Sequence, residues 1–213
     1  MLYPININLQ GRRCAVIGGG RTALRKIKLL LRAGAAVTVT APEISEEIKE
    51  LTASEKVTVK EKAASPEDIK DCFLVICAAS EPTVNQIIAA AAKKDGILVN
   101  LAAPPLDEGD FIVPASVCAA DLQISFSTSG KSPELARRLK QRYFDEIYNY
   151  GEFLKILEPY REGLRERLHD SDACTEIWRR LLDDETMELA AQGRFDEAEE
   201  RITDALVGFR TKS

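Results

Sequence analysis

Histidine and tryptophan occur once each, and none of the five cysteines stands in a Cys-x-x-Cys pair. Cys14, Cys72, Cys77, Cys118 and Cys174 are scattered, three of them within or beside apolar runs, which argues for reduced thiols and against a zinc or other metal site. His169 lies in a charged C-terminal stretch and reads as a surface residue, and Trp178, Phe144, Tyr148, Tyr150 and Phe153 read as core residues rather than cofactor contacts. No apolar run approaches the ~20 residues of a membrane span, and Met1-Leu2-Tyr3-Pro4 starts no signal peptide, so the expected setting is the cytoplasm, with no membrane partner. An excess of positive charge is missing too: 29 Lys and Arg against 34 Asp and Glu leave a net −5. That balance argues against nucleic acid, whose binding is driven by phosphate neutralisation. Gly130-Lys131-Ser132 lacks the preceding G-x-x-x-x of a phosphate-binding P-loop, which removes the nucleotide triphosphatases.

What is present is an ordinary globular composition, 45% apolar and 30% charged over 213 residues, enough for one domain with an appendage or for two small ones. The chain is organised around Cys14-Ala15-Val16-Ile17-Gly18-Gly19-Gly20-Arg21-Thr22-Ala23. An apolar run meets three glycines and then the spacing Ala23, Ile27, Leu30, Leu31, which predicts a buried strand, a tight turn and a helix. In the resulting G-x-G-x-x-A, Gly18 permits the turn, Gly20 lets the backbone approach a pyrophosphate, and Ala23 takes the small position where helix meets strand. The helix N-terminus adds unpaired N–H groups and a positive dipole end. Glycine turns also join strands to helices that bind nothing. Here Gly34 closes the helix and Ala36 to Ala41 follow as a second strand, completing a βαβ unit of the expected ~30 residues.

Around this unit, Tyr3 to Leu9 alternates and is expected to extend the sheet edge. Pro42 stops the second strand, and a short helix opens at Ser45. Lys56 to Lys60 is a half-exposed strand and Ser65-Pro66-Glu67-Asp68 a helix start. Cys72 to Ala79, apolar throughout, suits a central parallel strand; it ends in small polar residues at the edge where open α/β sheets take ligands. A helix over Val84 to Ala91, a strand over Gly96 to Leu101 and a loop over Ala103 to Asp110 follow. Phe111 to Ala115 and Leu122 to Thr128 predict two antiparallel strands joined through Ala119-Ala120-Asp121, and Ser132-Pro133 opens a helix. The remainder is helical: Phe153 to Leu168, Ala173 to Leu182, Thr186 to Ala191 and Phe195 to Val207. The fold class is α/β, with a parallel sheet first, a small α+β region next and an all-helical end.

Three groups of residues have chemical potential. Strand two ends Thr40-Ala41-Pro42-Glu43 without the ribose-binding acid of a typical NAD site, although Glu43 lies just beyond; no basic residue there pairs with a 2′-phosphate and Glu43 repels one, so NAD is expected over NADP. Arg137, Arg138, Lys140 and Arg142 follow the Gly130-Lys131-Ser132 turn as either a solvated helix face or a site for an anionic ligand. Asp107, Glu108 and Asp110 follow a parallel strand at its carboxyl end and are the local candidates for proton transfer. The short apolar strands after Phe111 need their edges covered, which a two-fold homodimer interface would do.

Together, Tyr3-Pro4, Val16-Ile17-Gly18-Gly19-Gly20, Ala23-x-Arg25-Lys26, Leu30-Leu31-x-Ala33-Gly34-Ala35, Ala41-Pro42, Asn85, Asn100, Asp110-Phe111-Ile112-x-Pro114-Ala115 and Ser127-Thr128-x-Gly130-Lys131-Ser132-Pro133-x-Leu135-Ala136-Arg137 resemble the siroheme synthase N-terminal module family. These are precorrin-2 dehydrogenases, some of them also sirohydrochlorin ferrochelatases. The resemblance implies a Rossmann domain binding NAD over residues 1–112, a dimerisation region over 113–148 and a helical domain over 149–213. It also implies precorrin-2 or sirohydrochlorin as ligand and a homodimer. Cofactor positions carry over to Gly18, Gly20, Arg21, Thr22, Pro42, Glu43, Ala79 and Ser80. The substrate is assigned to Thr128, Gly130, Lys131, Ser132 and Arg137. Where the family reads Asn-Val-Val-Asp, this chain reads Asn100-Leu101-Ala102-Ala103, so Ala103 replaces the acid given a catalytic role and ferrochelatase activity is doubtful. The competing expectation is a non-catalytic carrier or sensor that keeps both binding sites.

Overall fold

The structure, a computed structural model, describes residues 2–54, 57–102, 108–167 and 171–210. It divides into two compact units, Leu2–Val113 and Pro114–Ser213.

In the first unit, β1 (Arg13–Ile17), α1 (Arg21–Arg32), β2 (Ala36–Ala41), α2 (Glu46–Glu50), β3 (Val57–Glu61), β4 (Leu74–Cys77), α3 (Pro82–Lys94) and β5 (Leu98–Leu101) build a five-stranded sheet in the order β3-β2-β1-β4-β5. All four pairings are parallel. Side chains alternate between faces, so Val16, Val37, Val39 and Ile76 pack with Ala23, Ile27 and Leu30 of α1, while Ala15, Ile17, Val75, Cys77 and Val99 pack with Ile88, Ala89 and Ala92 of α3. Both faces are covered, which is why β1 and β4 read as unbroken apolar runs. The reversal of strand order at β1 and β4 puts the glycine turn and the end of β4 side by side.

Two expectations for this unit change. Residues 2–9 form no strand. Ser65–Asp68 opens only a single 3-10 turn, Pro66–Ile69, although the capping box forms as the sequence implies. That turn stops at once, with Lys70 extended and Asp71 at φ 57, a left-handed conformation that no helix continues through.

The second unit holds β6 (Ala115–Ala119), β7 (Leu122–Phe126), α4 (Pro133–Arg142), α5 (Phe144–Arg167), α6 (Ser171–Leu181), α7 (Asp184–Ala191) and α8 (Phe195–Arg210). The first strand of the hairpin therefore lies four residues later than the apolar Phe111–Ala115 run suggests. The register Ala119↔Leu122 makes a two-residue turn, with Ala120 at φ 47. Position 148, the expected domain boundary, falls inside α5, and Gly151 of that helix packs so tightly on the Ala119 backbone that no Cβ fits. The stretches 113–148 and 149–213 are consequently one compact unit. Its helical core is Phe153, Leu181, Leu189, Ala190, Ala198 and Ile202.

Candidate functional site

The glycine turn sits between two backbone walls. Gly18 has φ +128, and a Cβ there would stand 2.5 Å from the Ala78 carbonyl oxygen. Gly19 is closed from the other side: a Cβ would collide with the Glu43 carbonyl, and the Ser45 N–H donates to the Gly19 carbonyl at 3.0 Å. Gly18 N–H donates to Thr40 O at 3.0 Å and Ala78 N–H to Ile17 O at 2.7 Å, so the ends of β2, β1 and β4 are tied across the turn. Gly20, by contrast, faces open space. It is the N-cap of α1, with no side-chain cap and no acid in the first turn, so the helix presents its free N–H groups to any anion placed over Gly20. This is a cradle that fits a pyrophosphate.

The other residues expected to contact the cofactor lie on the segments beside it. Arg21, Pro42, Glu43 and Ser80 are exposed, and Thr22 and Ala79 half-buried. Ala79 is fixed by Asn85, a buried residue of α3 whose Oδ1 accepts from the Ala79 N–H at 3.0 Å and whose Nδ2 donates to the Ala79 carbonyl at 2.9 Å. Gly19 and Asn85 are the two residues that reading the fingerprint alone left without a role. Asn85 stood in the family blocks, and its signal was a polar residue on the apolar face of α3.

The acids separate. Val99 N–H donates to Asp110 Oδ2 at 2.9 Å and Asp110 N–H to Val99 O at 2.8 Å, so this carboxylate closes the outer edge of β5. Asn100 donates through Nδ2 to Phe111 O at 2.8 Å beside it. Glu108 is exposed; Ala103 and Asp107 lie outside the described residues. Burial pushes the Cys77 thiol up to about 12, and burial followed by the neighbouring Cys72 pushes Cys14 up to about 11, so neither serves as a thiolate nucleophile.

In the second unit, Thr128, Gly130, Lys131 and Ser132 share one turn at the start of α4. Thr128 Oγ1 accepts from the Ser132 N–H at 3.1 Å, Thr128 O accepts from the Lys131 N–H at 3.0 Å, and Ser132 Oγ caps the helix by accepting from the Leu135 N–H at 3.2 Å. The expected basic cluster is partly neutralised within itself. Arg137 grips Glu134 at 2.8 and 2.7 Å and Arg138 holds the same carboxylate at 2.9 Å. Those bonds hold the Glu134 carboxyl at about 2. Lys131 and Arg142 are exposed, the latter 5.6 Å from the Tyr143 ring centre.

The switch-point glycine turn, the open helix N-terminus and the clamped β4 loop define a Rossmann-type dinucleotide-binding domain. A family model for an NAD(P)-binding domain matches residues 5–115, and that of the sirohaem synthase dimerisation region matches residues 149–206. The precorrin-2 dehydrogenase of Priestia megaterium is 37% identical over 157 residues, covering 72% of this chain and 77% of that one. The siroheme synthase of Nitrosococcus oceani is 35% identical over 206 residues, covering 96% of this chain and 44% of that protein. A solved structure of the precorrin-2 dehydrogenase SirC superposes with a TM-score of 0.74 at 32% identity, over 94% of this chain and all of that one. The chain belongs to the precorrin-2 dehydrogenase family, which includes the N-terminal module of siroheme synthases. It spans less than half the length of the siroheme synthases it matches. The dimerisation model falls on 149–206, not on the hairpin and helix of 113–148 to which the sequence reading gave that role.

Proposed function

We propose that this protein oxidises precorrin-2 to sirohydrochlorin with NAD as hydride acceptor, in the cytoplasm and as a homodimer. The carrying observation is the cradle formed by Gly18, Gly19, Gly20 and the uncapped α1 N-terminus in a chain that resembles precorrin-2 dehydrogenases over most of its length. When bound, the nicotinamide supplies a two-electron acceptor for a substrate hydride. The chain's own part is placement. Gly18 and Gly19 keep the turn against the loops after β2 and β4, the α1 N-terminus would hold the pyrophosphate, and Asn85 fixes the Ala79 backbone beside the turn. The exposed Lys131 would supply a donor for the substrate's carboxylates, and Arg137 would do so on exchanging its hold on Glu134. Dehydrogenation also releases one proton, which solvent or the exposed Glu108 accepts; Asp110 is bound to the β5 edge.

Preference for NAD over NADP follows from the exposed Glu43 beside the end of β2. Iron insertion requires two pyrrole N–H protons to leave, and with Ala103 in the position of the family's acid this step is expected to be weak or absent. The test compares the native chain with Ala103→Asp in two assays, precorrin-2 plus NAD and sirohydrochlorin plus Fe²⁺. The native chain should form NADH readily and insert iron slowly, with the variant gaining about a hundredfold or more in insertion, the low end of what one positioned base contributes. Equal iron insertion by the two proteins overturns the reading of position 103. No NADH above background, with NAD binding intact, replaces the dehydrogenase by a carrier.

A further inference from the structure

The stretch around Thr40 to Glu43 contains no cation, yet the sheet brings two to it from the neighbouring strand. Lys60 is the register partner of Thr40 across β2 and β3, and the Lys62 N–H donates to the Ala41 carbonyl at 3.0 Å. Both ammonium groups therefore start from backbone beside the end of β2, where the ribose of a dinucleotide rests in this fold. Both are engaged elsewhere. Lys62 Nζ lies 2.6 Å and Lys60 Nζ 3.3 Å from the carboxylate of Asp68, whose side chain is only 3% exposed. A third lysine, Lys49, is held by Glu61 at 2.9 Å and Glu46 at 3.2 Å.

Asp68 is more than a helix-capping acid. Its Oδ2 accepts from the Ser65 N–H at 3.0 Å and the Ser65 hydroxyl at 3.1 Å, and the turn it caps is a single 3-10 turn. Capping alone needs one acceptor oxygen, which an amide provides equally. Recruiting two ammonium groups to one buried carboxylate has a different consequence: it offsets one of the two positive charges and engages both donors, which would otherwise be available to a 2′-phosphate, the group that distinguishes NADP from NAD.

The geometry points to Asp68 as a specificity-determining residue for the cofactor, one that disfavours NADP by sequestering Lys60 and Lys62 at the ribose end of the site. This deepens the dinucleotide reading given above and rests on it.

The test is direct titration of NAD⁺ and NADP⁺ into the native 213-residue chain, Asp68→Asn, and Asp68→Asn combined with Lys60→Gln and Lys62→Gln. The amide keeps the Ser65 cap and releases the lysines. Asp68→Asn is expected to tighten NADP⁺ about tenfold, the worth of one charge-assisted phosphate contact, while NAD⁺ stays within about twofold. The triple variant should lose that gain, and the gain should shrink at high salt. Should Asp68→Asn fail to fold, Asp68→Ser offers an acceptor to the same N–H and carries the same expectation. An unchanged ratio of NADP⁺ to NAD⁺ affinity in a variant that melts as a folded protein overturns the proposal, as does a full gain from Glu43→Ala with none from Asp68→Asn. A native chain that binds neither dinucleotide fails the functional reading instead, so the two failures are distinguishable.

Discussion

Each of the three glycines in the turn answers a different demand. Gly18 takes a backbone conformation that other residues avoid, Gly19 lies under the Glu43 carbonyl, and Gly20 borders open space. Alanine at each position therefore separates folding from binding. Gly19→Ala must displace backbone, so it should lower stability by about 1–3 kcal/mol, the usual cost of overpacking, and weaken NAD binding with it. Gly20→Ala meets no protein atom and its φ of −99 suits any residue, so its melting temperature should match the native one within a degree or two while NAD binding weakens. Thermal melts beside NAD titrations check both. A Gly20→Ala protein that binds NAD as well as the native chain removes the pyrophosphate from that position. The G-x-G spacing is legible in sequence because it answers to the ligand and the turn. Gly19 is not, because its neighbour is the loop after β2, more than twenty positions along the chain.

The elements were readable to the extent that one period governed them. The βαβ unit, β4 and α3 are buried by both sheet faces and announce themselves as apolar runs or helical spacing. The Phe111–Ala115 run misled because it is apolar without pairing: Asp110 and Phe111 are bound to β5 through Val99 and Asn100, and the hairpin begins only at Ala115. Long-range pairings of that kind leave no local trace. The same holds for Asp68, read locally as the acid of a helix start and found to bind Lys60 of β3 and Lys62 just after it to the turn before β4. Its pKa carries a prediction for this element. Burial would raise it, but hydrogen bonds from Lys62, the Ser65 backbone and hydroxyl, and Lys60 outweigh burial and hold it at about 2, below the ordinary 3.8. A depressed folded-state pKa stabilises the fold above the unfolded value and loses that stabilisation as pH falls through the folded one. The native chain should thus lose about 1–2 kcal/mol between pH 4 and pH 2 that Asp68→Asn does not lose, allowing for screening at the half-exposed ammonium groups. Denaturant melts of the two proteins across that range check it; parallel pH curves would contradict it.

At the scale of the molecule, a dinucleotide-binding unit is joined in one chain to a unit that carries the family's dimerisation region. That second unit exposes Leu135, Tyr143, Phe144 and Tyr148, with the Phe144 and Tyr148 rings stacked at 6.3 Å. The exposure of Phe144 and Tyr148 departs from the core role expected of them from the sequence. Light scattering should give twice the chain mass of 23.5 kDa at micromolar concentration, and Leu154→Glu, at an exposed apolar position within the matched dimerisation region, should shift it toward one. A monomeric native protein would remove the homodimer from the account. A single-turnover experiment measures the reaction itself. Purified protein, NAD and enzymatically made precorrin-2 are mixed, and the absorbances of NADH and of sirohydrochlorin are followed together. The two products should rise in step at a ratio of one to one, and Gly20→Ala should slow both equally at limiting NAD. Sirohydrochlorin appearing without NADH, or no turnover by a chain that binds NAD, would contradict the proposed reaction.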